Sequence, residues 1–143
     1  MTKHTVDNCI FCKLANGQIP TNSIYEDDDF KVILDASPAS KGHAIILPKT
    51  HAANLFELPD EYCEKIFSIA KKCGNAIIKT FNYDGLNVLQ NNGEAAGQTV
   101  FHLHVHLIPR NNDDNIHIKW VQKDSAQIDE TPEIVAAKIK EKI

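Results

Sequence analysis

The 143 residues suit a single domain, spanning 1–143, with a buried core, and a content of 43% hydrophobic and 24% charged residues is that of ordinary globular proteins. The formal net charge of -4 argues against broad binding to duplex nucleic acid, which needs clustered positive charge, but leaves open a local anion site made of backbone N–H groups and neutral imidazoles. No apolar run reaches the roughly 18 residues of a membrane span, and the opening MTKHTVDNC has no secretory pattern, so the expected location is cytoplasmic and the four cysteines should be thiols or metal ligands rather than disulfides.

In chain order, NCIFCKLANGQIP (8–20) predicts a Cys-bearing loop and a short helix near 12–16. NSIYEDDDFKVILD (22–35) predicts strands over 22–26 and 30–34, joined by the acidic turn Asp27-Asp28-Asp29. GHAIILPK (42–49) predicts a buried strand ended by Pro48. PDEYCEKIFSIAKKCGNAIIKTF (59–81) is the one long helix, with Ile66, Ile69, Ala70, Cys73, Ile77 and Phe81 at helical spacing. Pro59 suits its first position, Asp60 and Glu61 complement the N-terminal dipole, and Asn82 to Gly85 stops it. Gly74 costs such a helix about 1 kcal/mol relative to Ala and allows a close neighbour. A strand over 85–91 follows, then the loop 92–99, and a strand over 100–108 with period-two alternation. Residues 121–130 read as a surface connection, and 131–143 as an amphipathic helix with Thr131 as N-cap. The sum is an α+β domain, an antiparallel sheet of about five strands packed on one long helix, with an additional C-terminal helix.

The stretch GQTVFHLHVHLIPR (97–110) places His102, His104 and His106 on alternating positions. On a strand these share one face, while Phe101, Leu103, Val105 and Leu107 point into a core. Three readings stand: a solvated face that happens to carry histidine, a metal site built from the His-x-His pair, or a phosphate site in which one histidine is the nucleophile. Imidazole suits the last role, being largely unprotonated near neutral pH and able to form a reactive P–N bond.

Cys9 and Cys12 form C-x-x-C. A thioredoxin-type redox pair expects a preceding strand, which the polar N-terminus does not offer. Two thiolates at this spacing can instead chelate zinc if two further ligands close the tetrahedron, or they are simply two buried small thiols. Cys63 and Cys73 lie ten residues apart on the long helix without metal-like spacing, and Cys73 reads as a small buried residue. His43 reads as structural, His4 as part of a frayed terminus, and His117 and Trp120 are given no chemistry.

The segment HLHVHLI, together with CIFCK, IYEDD, LDASPASKGHAIILPKTH and NNGEAAGQTVFHLHVHLIPR in this order, resembles the histidine triad (HIT) nucleotide hydrolases and transferases over residues 8–112. The likeness is closest to the Hint-like branch in its prokaryotic, zinc-bearing form. It implies that His104 is the nucleophile that attacks the α-phosphorus of a nucleotide, forming a nucleotidyl-histidine that water cleaves. It implies that His106 contacts the phosphate and that His102 completes the catalytic triad. Asn91, Gly97, Gln98 and Thr99 would line the phosphate and leaving-group side, and Asp35 would hold the ribose hydroxyls. The residue chemistry agrees. A glycine lets backbone approach a phosphate, neutral donors stabilise charge on phosphoryl oxygens, and a carboxylate accepts from vicinal hydroxyls. Without the likeness, Asp35 reads as a strand-end turn residue before Ser37-Pro38.

The same resemblance implies His51 and His102 as partners of Cys9 and Cys12 in a structural Cys2His2 zinc site. It implies hydrolysis of nucleoside 5′-phosphoramidates or related nucleoside monophosphate derivatives, purine nucleotides preferred, by a homodimer. A Fhit-like dinucleoside polyphosphate hydrolase and a non-catalytic nucleotide-binding regulatory module are the alternatives. The sequence departs from short Hint proteins after Arg110: they end soon after the triad, whereas this chain carries an extension over 113–143 that bears on leaving-group specificity.

Overall fold

The computed structural model describes residues 2–143. A five-stranded antiparallel sheet runs in the order β1-β2-β3-β5-β4. Its strands are β1 (Ser23–Glu26), β2 (Phe30–Leu34), β3 (Ala44–Pro48), β4 (Gly85–Leu89) and β5 (Val105–Arg110). The helices are α1 (Ile10–Ala15), α2 (Asp60–Phe81) and α3 (Pro132–Lys140). No described helix is long and apolar enough to cross a membrane.

Alternation along the strands gives the sheet two working faces. Val32, Ala44, Ile46, Val105 and Leu107 meet Ile66, Ile69, Ala70, Cys73 and Ile77 of α2 in the main core. Gly74 admits the close contact its spacing allowed: a Cβ there would lie 2.6 Å from Leu86 Cδ2 of β4. The helix starts one residue later than expected, with Pro59 as its N-cap, and ends at Asn82 in the left-handed region with φ 57°.

On the opposite face, Ile33, Ile45 and Leu47 are covered by Ala15, Phe11 and Leu14 of α1. That smaller cluster seats the N-terminal segment on the sheet. Ile45 of β3 pairs with His106 of β5, so the histidines emerge on this second face.

The expectation of a strand over 100–108 is corrected. β5 begins only at Val105, because Leu103 N–H leaves the ladder and donates to Ala52 C=O at 2.7 Å. Phe101 is also misplaced by the alternation, since it stands 52% exposed outside the core, while Leu103, Val105 and Leu107 are buried as expected. β4 stops at Leu89 instead of 91, and the loop after it contains a 3-10 turn over Glu94–Ala96. The first helix is shifted to 10–15. α3 forms with Thr131 as its N-cap, but none of its residues is buried against the rest of the chain.

Candidate functional site

Hydrogen bonds fix the tautomers of the histidines, and through them the chemistry of each ring. His104 Nδ1 lies 2.8 Å from the His102 carbonyl oxygen, so Nδ1 carries the proton and donates. The lone pair of His104 is then on Nε2, free for attack or coordination. His104 is half-buried, with the Phe11 ring edge-on to it at 4.9 Å and the His106 ring at 5.0 Å.

His106 is set by its neighbour. Ala39 N–H donates to His43 Nδ1 at 2.9 Å, which leaves the proton of a neutral His43 on Nε2. His43 Nε2–H donates in turn to His106 Nδ1 at 2.9 Å. His106 must therefore hold its own proton on Nε2, as a donor beside the lone pair of His104. Burial, with the neighbouring His104 and His43, pushes the His106 pKa down to about 4. His43 is also lowered by burial. Both rings are neutral near pH 7. His43 thus does more than the structural part its sequence position suggested.

Asp35 combines two placements. Its Oδ1 accepts from Ser37 N–H at 2.8 Å, the turn role, while Oδ2 lies 3.5 Å from His43 Nε2 and 3.7 Å from His106 Nδ1. The β2–β3 loop brings these groups together, since Asp35 N–H donates to His43 C=O at 2.9 Å.

The loop 91–99 lies in the connection between β4 and β5. Gly97 has φ 93°, a conformation that L side chains rarely adopt, and a Cβ on it would lie 3.6 Å from the Asn91 amide nitrogen. Thr99 is exposed and Asn91 half-buried. Gln98 is placed differently from the expectation of a phosphate-facing donor. It is buried, and its amide N–H groups donate to Ala53 C=O at 2.6 Å and Val100 C=O at 3.0 Å. Its Oε1 accepts from Gly93 N–H at 2.8 Å. With both donors spent on backbone, its side chain holds the loop in shape.

A second cluster lies beside the first. Ligand atoms of Cys9, Cys12, His51 and His102 all fall within 4.8 Å of one another. Cys9 N-caps α1, its Sγ accepting from Cys12 N–H at 3.3 Å, which turns both sulfurs the same way. His102 Nε2–H donates to Pro48 C=O at 2.9 Å, so its Nδ1 lone pair faces the cluster. That Nδ1 is 3.5 Å from each sulfur and 3.2 Å from His51 Nδ1. Cys12 Sγ is 3.5 Å from His51 Nδ1. Ligands at tetrahedral angles around zinc, with Zn–S near 2.3 Å and Zn–N near 2.05 Å, would be about 3.5 Å (S···N) and about 3.3 Å (N···N) apart. The donor set and its spacing therefore fit zinc. Burial lowers the pKa of His102 to about 4 and lowers that of His51 as well, leaving both rings unprotonated for coordination.

Sequence reasoning missed three contributors. Phe11 sits inside the C-x-x-C motif, yet its ring rests on His104. His43 sets the tautomer of His106 through a contact 63 residues away in sequence. His4 is tied down as well, its N–H donating to Thr50 Oγ1 at 2.9 Å and its carbonyl accepting from His51 N–H. Only His43 carried a usable signal, its place one residue before the buried β3 with side-chain parity matching Ile45.

The family model for the HIT domain matches residues 16–113. The chain belongs to the HIT family. The match covers all three triad histidines but begins after the C-x-x-C pair. This HIT chain is 43% identical to a HIT family protein from Bacillus anthracis of known crystal structure, with a TM-score of 0.85 over 97% of this chain and 99% of that one. The segment beyond Arg110 is therefore shared with that HIT protein. An adenosine 5′-monophosphoramidase of Schizosaccharomyces pombe is 42% identical over 114 residues, 79% of this chain and 83% of the relative, and the likeness is Hint-like. A Zn-bound histidine triad family protein from Mycobacterium smegmatis is 36% identical, with a TM-score of 0.73 over 81% of this chain and 84% of that one.

Proposed function

We propose that the chain hydrolyses nucleoside 5′-phosphoramidates, or related nucleoside monophosphate derivatives, through a covalent nucleotidyl-histidine on His104. One observation carries the reading: the His102 carbonyl holds the His104 proton on Nδ1, so the Nε2 lone pair stands beside the His106 Nε2–H donor. His104 Nε2 would attack the α-phosphorus and form a P–N bond, while the bond to the leaving amine breaks and the amine departs with a proton taken from solvent, which the attacking water returns in the second step. Water then attacks the same phosphorus, the bond to His104 breaks, and the nucleoside monophosphate leaves. His106 Nε2–H, Thr99 and Asn91 would hold the phosphoryl oxygens, and the positive-φ turn at Gly97 gives the phosphate backbone approach without a Cβ. Asp35 would accept from the ribose hydroxyls. Gln98 would act indirectly, by shaping the loop.

Zinc on Cys9, Cys12, His51 and His102 would be structural, because the four residues fill a tetrahedral shell and leave no open position. When bound it would fix the N-terminal segment and the His102 peptide whose carbonyl orients His104. Elemental analysis of protein purified with reductant should find about one zinc per chain.

The assembly we infer is a homodimer of single HIT domains, each with its C-terminal extension, in the cytoplasm. β4 is an edge strand, and it presents Val88, 43% exposed, beside Phe67 of α2, 75% exposed. A second copy covering this face would bury both and extend the sheet edge. Light scattering should give twice the chain mass.

The deciding experiment compares nucleoside monophosphate release from an adenosine 5′-phosphoramidate and from a diadenosine polyphosphate. Preference for the first, with a nucleotidyl adduct on His104 in rapid-quench mass spectrometry, supports the reading. Preference for the second substrate moves the protein to the dinucleoside branch. Turnover of neither leaves a binding module.

A further inference from the structure

We propose that Cys9 and Cys12 form an oxidation site for peroxides, whose disulfide releases the zinc and uncouples the N-terminal segment from His104. The inference rests on the zinc reading above. Its first support is geometric. Cys9 Sγ and Cys12 Sγ converge on the same His102 nitrogen at 3.5 Å each, and Cys12 N–H already points at Cys9 Sγ. The two sulfurs sit at the first and fourth positions of one turn, so a bond between them closes a local ring. The two sulfurs already lie within 4.8 Å of each other, against an S–S bond of about 2.05 Å.

The second support is selectivity. Cys63 and Cys73, the other two thiols, lie on α2 about 15 Å apart along its axis, too far to pair with each other. They also belong to the opposite face of the sheet, where Cys73 is buried in the main core. Cys9 is half-buried at the rim, next to exposed Asp7, Asn8 and Ile10, so a small oxidant reaches it before Cys12; Cys63 is half-buried too but has no thiol within reach to resolve it. Cys12 is buried behind it, placed as the resolving thiol.

The chemistry balances with a hydroperoxide as oxidant. The Cys9 thiolate attacks the peroxide O–O bond, giving a sulfenic acid and hydroxide. The Cys12 thiolate then attacks the Cys9 sulfur, the S–O bond breaks, and a second hydroxide leaves. Two thiolates lose two electrons in all, and hydrogen peroxide with two protons becomes two waters. Neutral disulfide sulfur is a poor zinc ligand, so the shell falls from four ligands to two and the metal dissociates. His102 keeps its bond to Pro48 but loses the anchor on Nδ1. The segment bearing Phe11, which packs on His104, loses its tie to His51 and His102.

The test treats the zinc-loaded protein with a few equivalents of hydrogen peroxide. Zinc release is followed with a pyridylazoresorcinol indicator, and the thiols are mapped by mass spectrometry of tryptic peptides. Expected are release of the bound zinc, a loss of two hydrogens across the Cys9–Cys12 pair, and at least a tenfold fall in kcat. Dithiothreitol with added zinc should restore all three. Zinc that stays bound, oxidation that starts at Cys63, or sulfinic acid on Cys9 without a disulfide overturns the proposal. So does a protein that carries no zinc when purified with reductant. Zinc release with the disulfide but no nucleotide turnover before oxidation leaves the oxidation site standing and refutes the hydrolase reading instead.

Discussion

His43→Ala tests the tautomer argument at its source. The substitution removes two hydrogen bonds of 2.9 Å, one from Ala39 N–H and one to His106 Nδ1. Ala39 is exposed, so its N–H regains a partner in water at little cost. His106 Nδ1 loses its donor inside the site, and leaving that acceptor unmet costs about 1–3 kcal/mol unless the ring shifts its proton from Nε2 to Nδ1. The imidazole is itself 5% exposed, so its loss leaves a void. Together these should lower unfolding stability by about 2–4 kcal/mol. The effect on turnover is separate. Without His43, the His106 proton is free to move to Nδ1, facing Asp35 Oδ2 at 3.7 Å, and the donor on Nε2 is lost from part of the population. Losses of such supporting contacts typically cost roughly 10- to 100-fold, and kcat should fall by that much with KM little changed. His43→Gln keeps an N–H donor at the same bond distance from Cα, and should recover most of the rate. The assay is steady-state release of AMP from an adenosine 5′-phosphoramidate, beside denaturant unfolding of both variants. An Ala variant within threefold of the parent, or a Gln variant no better than Ala, refutes the relay.

Other outcomes follow from the same geometry. His104→Asn should lower turnover by at least about 10³-fold and abolish the nucleotidyl adduct, with binding of nucleoside monophosphate retained in calorimetry. Gln98→Ala breaks three hydrogen bonds that join Gly93, Ala53 and Val100, and should cost roughly 2–4 kcal/mol of stability in urea unfolding while raising KM. Acid should destabilise the metal-free chain early. His102 and His106 titrate near 4 when folded and near 6.5 when unfolded, so the unfolded state binds more protons between these values. Stability is then fully present above pH 6.5 and falls as pH drops towards 4, by roughly 3 kcal/mol for each ring. An NMR titration placing the His106 ring near 6.5 in the folded protein would sink this prediction.

The local grammar of the chain was readable without coordinates. Three-four spacing over 60–81, the β-branched runs at 30–34 and 44–48, and the stop at Asn82 are encoded by neighbours in sequence, and the elements form where that pattern lies. Period-two alternation overextended β5, because backbone pairing, not side-chain pattern, ends a strand. The Leu103 N–H bond to Ala52 takes the chain out of the ladder before His104. In the same way, Gln98 looked like a free donor until the fold placed two carbonyls around its amide.

By itself, then, the sequence determined which segments become helix and strand, and which side chains carry reactive chemistry: alternating histidines, a C-x-x-C pair, a Gly-rich loop. Residue type and short-range spacing are enough for that, since propensity and periodicity act over a few neighbours. Only tertiary structure decided which nitrogen of each imidazole bears the proton, that His43 stands behind His106, and that Phe11 lies on His104. The His104 and His43 protons are set by backbone groups two and four residues away, but only once the chain is folded into that geometry. The His43–His106 and Phe11–His104 contacts join segments dozens of residues apart, created when β3 and β5 pair and the N-terminal turn closes over their face.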